Sequence, residues 1–434
     1  MSSQPWTWRH GLSYGLLGLP LAFVALPLYV LLPNHYAREF GMPLASLGAL
    51  LLGARLLDAL IDPWLGRLSD RLFQRSVHAV WRSATLASGL LALGMTGLFF
   101  PPALSANGLL VWAGALLMLT YAAYSLLSIA HQSWGARLGG AELQRGRIVA
   151  WREGAGLLGV LLASVLPALA GLPAMLAALA LGLLLGGWAW RRAPQPPQEA
   201  PGDTAATSLW QPWRQAGFRR LLLVFMLNGI ASAVPATLVL FFVQDRLQAS
   251  AAQEPLFLGL YFLCAALSIP LWLKAVGRFG LARSWLAGML LSVSVFAGAA
   301  ALGAGDSLAF LAVCALSGLA LGSDLALPGA LLAGLIQQRD GDPAQTGAYM
   351  GWWNFATKLN LALAAGLALP LLGLLGYTPG SRSAEGLQAL SLAYAVLPCG
   401  LKLLAALGLY GLIVRPASAA SLPPSPRSIS CNDV

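Results

Sequence analysis

Charged side chains are scarce in this sequence: Asp, Glu, Lys and Arg make up 10% of the 434 residues against 58% hydrophobic, and the mean hydropathy is +0.72. Soluble domains carry roughly 25% charged residues, so a water-soluble globular fold is excluded and an integral membrane protein is indicated. Histidine is scarcer still. His10, His35, His78 and His131 stand on separate segments, with no metal-ligand cluster or nucleophile–base set around them, which speaks against an enzyme. Cysteine is limited to Cys264, Cys314, Cys399 and Cys431, scattered without pairing or metal spacing, so the thiols read as free, small apolar groups. The ring of matched charges or carbonyls that a channel filter needs is also missing.

What the sequence does hold is long apolar runs. Each is about twenty residues, enough to cross a hydrocarbon core of about 30 Å as a helix and too long for a barrel strand. Twelve are predicted, at about 11–32, 43–66, 83–100, 108–135, 148–170, 173–190, 218–244, 255–273, 284–304, 308–336, 346–375 and 387–414. A formal net charge of +10 would suit nucleic acid, but only Lys274, Lys358 and Lys402 are lysines, and the arginines lie mostly in short loops between the runs. That is a topology signal instead. With the N-terminus inside, twenty basic residues fall in cytoplasmic loops, while the outer loops hold only Arg38, Arg246 and Arg382. The expected location is the inner membrane, multi-pass, with both termini cytoplasmic. No cleavable signal is expected, because the first run is span-length and lacks a small-residue cleavage pattern.

Residues 193–217, rich in Pro, Gln, Glu and Thr, read as a flexible cytoplasmic linker between two six-helix halves, 1–192 and 218–414. The Ser- and Pro-rich tail, 415–434, reads as disordered. GRLSDR at Gly66–Arg71 has a weak counterpart in KAVGRFGLAR at Lys274–Arg283. Six spans plus six around a long central loop is the major facilitator plan, an all-α membrane fold with its solute site between the halves near the midplane.

The polar focus is ARLLDALIDPWLGRLSDR, Ala54–Arg71. Arg55, Asp58 and Asp62 are three and four residues apart, which places them on one face of a helix. Each acid near a bilayer centre costs roughly 2.5–3.5 kcal/mol, so their presence points to a site. The plain alternative is a structural ion pair of Arg55 with one aspartate at i, i+3, which leaves the other acid uncompensated. Lys358 lies about twelve residues into its span, too deep to snorkel easily. Asp324, in GSDLALPGALLAG, is also deep, and pairing with Lys358 or Lys402 explains it as well as ligand binding does. Ser128, His131, Gln132, Asn228, Trp352, Trp353, Asn354 and Asn360 are the neutral groups available to a cavity, Asn354 and Lys358 sharing a face at i, i+4.

ARLLDALIDPWLG closely resembles the second span of the glycoside-pentoside-hexuronide:cation symporters, a melibiose permease-like family, in the pattern A-R-x-x-D-A-x-x-D-P-x-x-G carried by Arg55, Asp58, Ala59, Asp62, Pro63 and Gly66. LSYG at Leu12–Gly15, Tyr124-Ser125, the Arg152 region and Lys358 extend the resemblance along most of the chain. It implies a symporter in which Asp58 and Asp62, helped by Ser125, hold the coupling cation, with Lys358 as a counter-charge. It also implies that Arg152 serves gating or topology rather than ligand binding, and that Asp70 and Arg71 form gate contacts in the loop after span two. Two carboxylates and a hydroxyl suit Na⁺, and a buried carboxylate pair suits a proton, so both ions stay open. No other cofactor is expected, and the monomer is the expected unit.

The departures concern the substrate. Sugar-transporting relatives carry an aspartate in span one and another in span four, whereas this chain reads GLPLAFVAL at Gly18–Leu26 and has Ser128 at the span-four position. A site without them lacks charge-assisted bonds to sugar hydroxyls. The expectation is therefore cation-coupled symport of a small organic solute, by resemblance a sugar or sugar derivative. A lysophospholipid symporter or an uncoupled flippase of the same fold is the alternative.

Overall fold

The computed structural model describes residues 6–197, 208–250, 253–337, 345–378, 380 and 383–416, and these are almost entirely helical. Linker residues 198–207 and the tail beyond 416, with Arg339, Arg382, Arg427 and Cys431, lie outside the described residues. Ten helical runs are long and apolar enough to cross a membrane: α1 (Trp8–Glu39), α4 (Ala106–Arg137), α5 (Glu142–Pro167), α6 (Leu169–Trp190), α7 (Ala216–Arg246), α8 (Glu254–Phe279), α9 (Leu281–Ala301), α10 (Ser307–Ile336), α11 (Thr346–Leu374) and α12 (Ala384–Val414). Two further helices, α2 (Leu44–Arg75) and α3 (Val77–Phe99), have 32 and 23 residues and complete the first half. α2 carries the chain's densest set of charges, which lowers its hydropathy without shortening it.

Several ends differ from the expected ones. α2 runs nine residues past Gly66 to Arg75, because the basic stretch after the apolar run keeps good helix formers, and it stops where Ser76 turns to extended backbone. The Ser76 hydroxyl then accepts the amide of Ala79 at 3.0 Å, capping α3. α5 and α6 are separated only by a kink at Gly171, whose φ of +77 lies where glycine alone is comfortable, between Pro167 and Pro173. Three runs contain π-helical turns: Pro27–Leu31 in α1, Phe242–Arg246 in α7, and Leu392–Val396 and Tyr410–Val414 in α12. Linker residues 208–215 are not all free chain. Gln211–Arg214 forms a short helix, Trp210 and Trp213 pack on Trp352, and the Trp352 indole donates to the Leu209 carbonyl at 2.9 Å. Aromatic side chains in an otherwise polar stretch dock it onto α11.

The packing is inverted relative to a soluble protein. α2 exposes Leu52, Leu56, Leu57, Leu60, Trp64 and Leu68 while burying Asp58, Asp62, Ser69 and Asp70, the arrangement expected when the solvent is lipid. One core cluster lies within the first half, around Leu17, Leu91, Leu98 and Trp134. A second lies within the other half, around Phe242, Phe310 and Tyr394. The third joins the two halves, setting Ile129, Ala136 and Val149 against Ala326, Tyr349 and Trp353.

Candidate functional site

Asp58, Asp62, Gly66 and Asp70 recur every four residues along α2, so they form one stripe. α11 runs antiparallel against this stripe. At its middle the Lys358 ammonium lies 2.7 Å from Asp58 Oδ1, 2.8 Å from Asp62 Oδ2 and 2.8 Å from Ser125 Oγ. The Ser125 hydroxyl in turn donates to Asp58 Oδ1 at 3.0 Å. Both carboxylates are buried, at 2% and 0% exposure, so this charge cluster is shielded from solvent. Two carboxylates face one ammonium. Arg55 does not correct the imbalance by ion pairing: it is exposed, and its guanidinium lies over the Tyr29 ring, 4.0 Å from the centroid. The structural ion pair of Arg55 with Asp58 or Asp62 is therefore not the arrangement found.

One turn and two turns further on, the helices touch through glycines. A Cβ on Gly66 would overlap the Gly347 carbonyl, and one on Gly351 would press on the Asp62 backbone. Close approach here requires residues without side chains. Beyond this crossing, buried Asp70 accepts the amides of Gly347 at 2.6 Å and Ala348 at 2.9 Å, the second and third residues of α11. It thus caps, from the other half of the molecule, the positive end of that helix. Arg137, at the end of α4, completes the knot with a 3.0 Å ion pair to Asp70. Nearby, Gln337 donates to the Ala136 carbonyl, and Glu142 accepts the amide of Leu281, the first residue of α9, at 2.8 Å. All these bridges between the halves lie from the helix middles to the end of the bundle where α2 turns into α3, the basic end.

Among the predicted cavity residues, Gln132 and Asn354 exchange amide hydrogen bonds across the halves at 3.2 Å, and Gln132 also donates to Ser128 at 2.9 Å. Trp353 stacks on Phe225 at 3.8 Å. Gln132, Trp353, Tyr14 and Arg152 border a space between the halves of only about 20 Å³, room for a water and not for a solute. Asn228 and Asn360 are buried on α7 and α11, with no hydrogen-bond partner found for either side-chain oxygen. His131 is not brought to this interface. It is fully buried in the first half, bonded to the Tyr14 carbonyl at 2.8 Å and stacked on that ring, because its α4 face packs on α1 and Trp190. Arg152 forms an ion pair with adjacent Glu153. Arg71 is exposed, and it is Arg137 that pairs with Asp70. Asp324 pairs with Lys402 at 2.7 Å rather than with Lys358, and also accepts the Trp285 indole at 2.9 Å. This second pair borders a cavity of about 360 Å³ contained within the second half, between α7, α8, α9, α10 and α12.

The residues that sequence reasoning overlooked are Arg137, Glu142, Gln337, Phe225 and the amides of Gly347 and Ala348. The signal for Arg137 and Glu142 was a charge closing or opening a span, which the topology count absorbs without asking for a partner. Among the described residues no group of three or more His, Cys, Asp and Glu is gathered as a metal site, and the oxygens around Lys358 are those of two acids and a hydroxyl.

Comparison with known proteins decides what class of molecule carries this site. The model of the family described as MFS/sugar transport protein matches residues 12–412. The chain belongs to that family. It is a multi-pass membrane transporter of the major facilitator superfamily and not an enzyme. Over 429 residues it is 25% identical to a putative sulfoquinovose importer of Salmonella typhimurium, covering 92% of this chain and 88% of that protein. Over 148 residues it is 28% identical to a putative glycoside/cation symporter of Escherichia coli, a match spanning 34% of this chain and only 32% of that protein. In fold, this member of the sugar-transport family is similar to a bacterial homologue of the iron transporter ferroportin in an outward-facing state, with a TM-score of 0.71 at 16% identity over 95% of this chain and 99% of that one. It is also similar to the Escherichia coli fucose:proton symporter, with a TM-score of 0.64 at 18% identity over 91% and 98% of the two chains.

Proposed function

We propose that this chain is a cation-coupled symporter that moves a sugar or sugar derivative by alternating access, with Na⁺ or H⁺ as the coupling ion. The observation that carries the reading is the Lys358 ammonium held among the oxygens of Asp58, Asp62 and Ser125. Two buried acids against one ammonium leave an excess negative charge, which a proton or Na⁺ removes. A cation arriving at Asp58 and Asp62 competes with Lys358 for the same oxygens and so weakens the tie between α2 and α11. Cation binding in the first half is thereby felt in the second. Substrate binding between the halves then favours cation binding by the same free energy, as linkage requires.

The glycine crossing and the Asp70 knot support a state closed at the basic end. The excess of basic residues in the loops at that end supports placing it in the cytoplasm, so the described state is read as outward-facing, in an inner membrane. The absence of acids between Gly18 and Leu26 and at Ser128 removes groups that would repel an anionic sugar. With one relative named as a putative sulfoquinovose importer, that sugar belongs in the first panel beside neutral glycosides. The lysophospholipid reading gains nothing from the family or from these relatives.

The test is uptake into proteoliposomes under an imposed Na⁺ gradient or an imposed pH gradient, over a panel of glycosides, hexuronides and sulfoquinovose. Accumulation of one of these above equilibrium under one gradient is expected, and it disappears in Asp58→Asn and Asp62→Asn. Accumulation indifferent to the collapse of both gradients overturns the reading.

A further inference from the structure

The face of α3 that begins one turn inside the basic end is organised as if for a ligand from the bilayer. Arg82, Thr85, Leu86, Gly89 and Leu93 follow one another at helical spacing. Together with Leu90 and with Arg191, which closes α6, they line a groove of about 480 Å³ on the surface of the first half. Leu86 and Leu93 are 65% and 69% exposed, and Gly89 leaves a recess where an added Cβ would touch nothing within 4 Å. The lower part of the groove is thus apolar and open, while two guanidiniums stand at its top.

Those guanidiniums lack anionic partners. Arg191 donates to Thr85 Oγ1 at 2.9 Å, across the groove, and forms no ion pair. Arg82 is exposed and has neither ion pair nor hydrogen bond among the described residues. The reason is in the sequence: no Asp or Glu occurs from Arg71 to Ala141 or from Gly154 to Gln198, so neither α3 nor α6 offers a carboxylate. The buried cations Arg137 and Lys402, by contrast, find acids in Asp70 and Asp324.

We propose that this groove is a binding site for an anionic phospholipid, with the lipid phosphate between Arg82 and Arg191 and an acyl chain along Leu86, Gly89 and Leu93. Guanidinium favours phosphate through paired, charge-assisted hydrogen bonds, and the net negative charge of the lipid satisfies two cations that the protein leaves uncompensated. Basic recesses between helices at the cytoplasmic surface are suited to such headgroups. The site lies on the outer wall of the first half, away from Lys358, so its occupant is not cargo. A lipid there tethers α3 to α6 and adds weight to the first half as the fixed frame against which the second moves.

The full-length protein is purified, stripped of lipid, and returned to nanodiscs or mixed micelles containing dioleoyl phosphatidylglycerol, cardiolipin or dioleoyl phosphatidylcholine. Retained lipid is counted by native mass spectrometry and stability is followed by thermal unfolding. Phosphatidylcholine carries the same phosphate and chains without net charge, so it isolates the electrostatic preference. An anionic lipid is expected to be retained about 30-fold more tightly, from two arginines near the surface, with the preference shrinking as salt rises. The double variant Arg82→Gln and Arg191→Gln is expected to unfold at the wild-type temperature in phosphatidylcholine and to lose the preference. The double variant Arg38→Gln and Arg246→Gln, at the opposite end, is expected to keep it. Equal retention of the anionic and zwitterionic lipids by the native protein overturns the proposal, as does an undiminished preference in Arg82→Gln with Arg191→Gln.

Discussion

Lys358 and its two acids have different consequences when removed, and the difference separates stability from coupling. Lys358→Met leaves two buried carboxylates facing each other without a counter-charge, a change of the kind that costs about 3–5 kcal/mol when a buried pair is broken. Thermal unfolding of that variant is expected at a markedly lower temperature. Asp58→Asn or Asp62→Asn leaves one carboxylate for one ammonium, so the melting temperature should stay near that of the native protein while gradient-driven accumulation is lost. Adding Asp58→Asn to Lys358→Met is then expected to recover part of the lost stability without recovering transport. If the lysine variant melts like the native protein, the ion cluster is not the balance described here. Ser125→Ala removes a hydroxyl that touches both Lys358 and Asp58, and weaker apparent affinity for the coupling cation is the expected result.

At the scale of elements, α2 and α11 form the tight crossing between the halves. They can approach because Gly66, Gly347 and Gly351 present no side chains, and they are held because Asp70 caps α11 from outside its own half. Gly351→Leu forces the helices apart and should open the basic end. Its measurement is the reactivity of a cysteine placed at Gln132, which lies between the halves: labelling should rise several-fold over that in the otherwise native background. Asp70→Ala removes a helix cap worth about 0.5–2 kcal/mol and strips Arg137 of its acid, so the same labelling should rise there too. Unchanged labelling in both variants would show that the basic end is closed by something else. The second half has a buried pair of its own, Asp324 with Lys402, whose hydrogen-bond partners among the described residues, Trp285 and Ser232, belong to the same half; the pair ties α10 to α12 beside the cavity there.

For the whole molecule, the orientation we propose rests on charge: twenty basic residues against three across the predicted loops support a cytoplasmic basic end. In a background with the four native cysteines replaced by serine, His78→Cys should escape a membrane-impermeant maleimide applied to intact cells, while Ser105→Cys, at the other end of the bundle, should react. The reverse pattern overturns both the orientation and the outward-facing reading. The helical membrane plan and its family were legible in the sequence because they depend on local quantities: run length, the i, i+4 stripe of Asp58 and Asp62, and the A-R-x-x-D-A-x-x-D-P-x-x-G pattern. The expected meeting of Lys358 with those acids rested on resemblance, since periodicity alone cannot pair residues 296 apart in the chain.

What the sequence determined by itself was which residues lipid would tolerate on the outside and which had to be hidden. A polar group in an apolar solvent must find a partner, so Asp58, Asp62, Asp324, Lys358 and Lys402 were marked for the interior wherever the helices came to rest. Only the tertiary structure chose the partners. It gave Asp70 to Arg137 and the α11 amides, gave Asp324 to Lys402 rather than to Lys358, and turned His131 inward onto Tyr14. It also laid Trp210 and Trp213 on α11 in a stretch that reads as plain linker. The physical reason is the same in each case: a helix fixes which face a side chain occupies, but the group opposite that face is set by how separate helices pack, and ion pairs form between whichever charges that packing brings within about 3–4 Å.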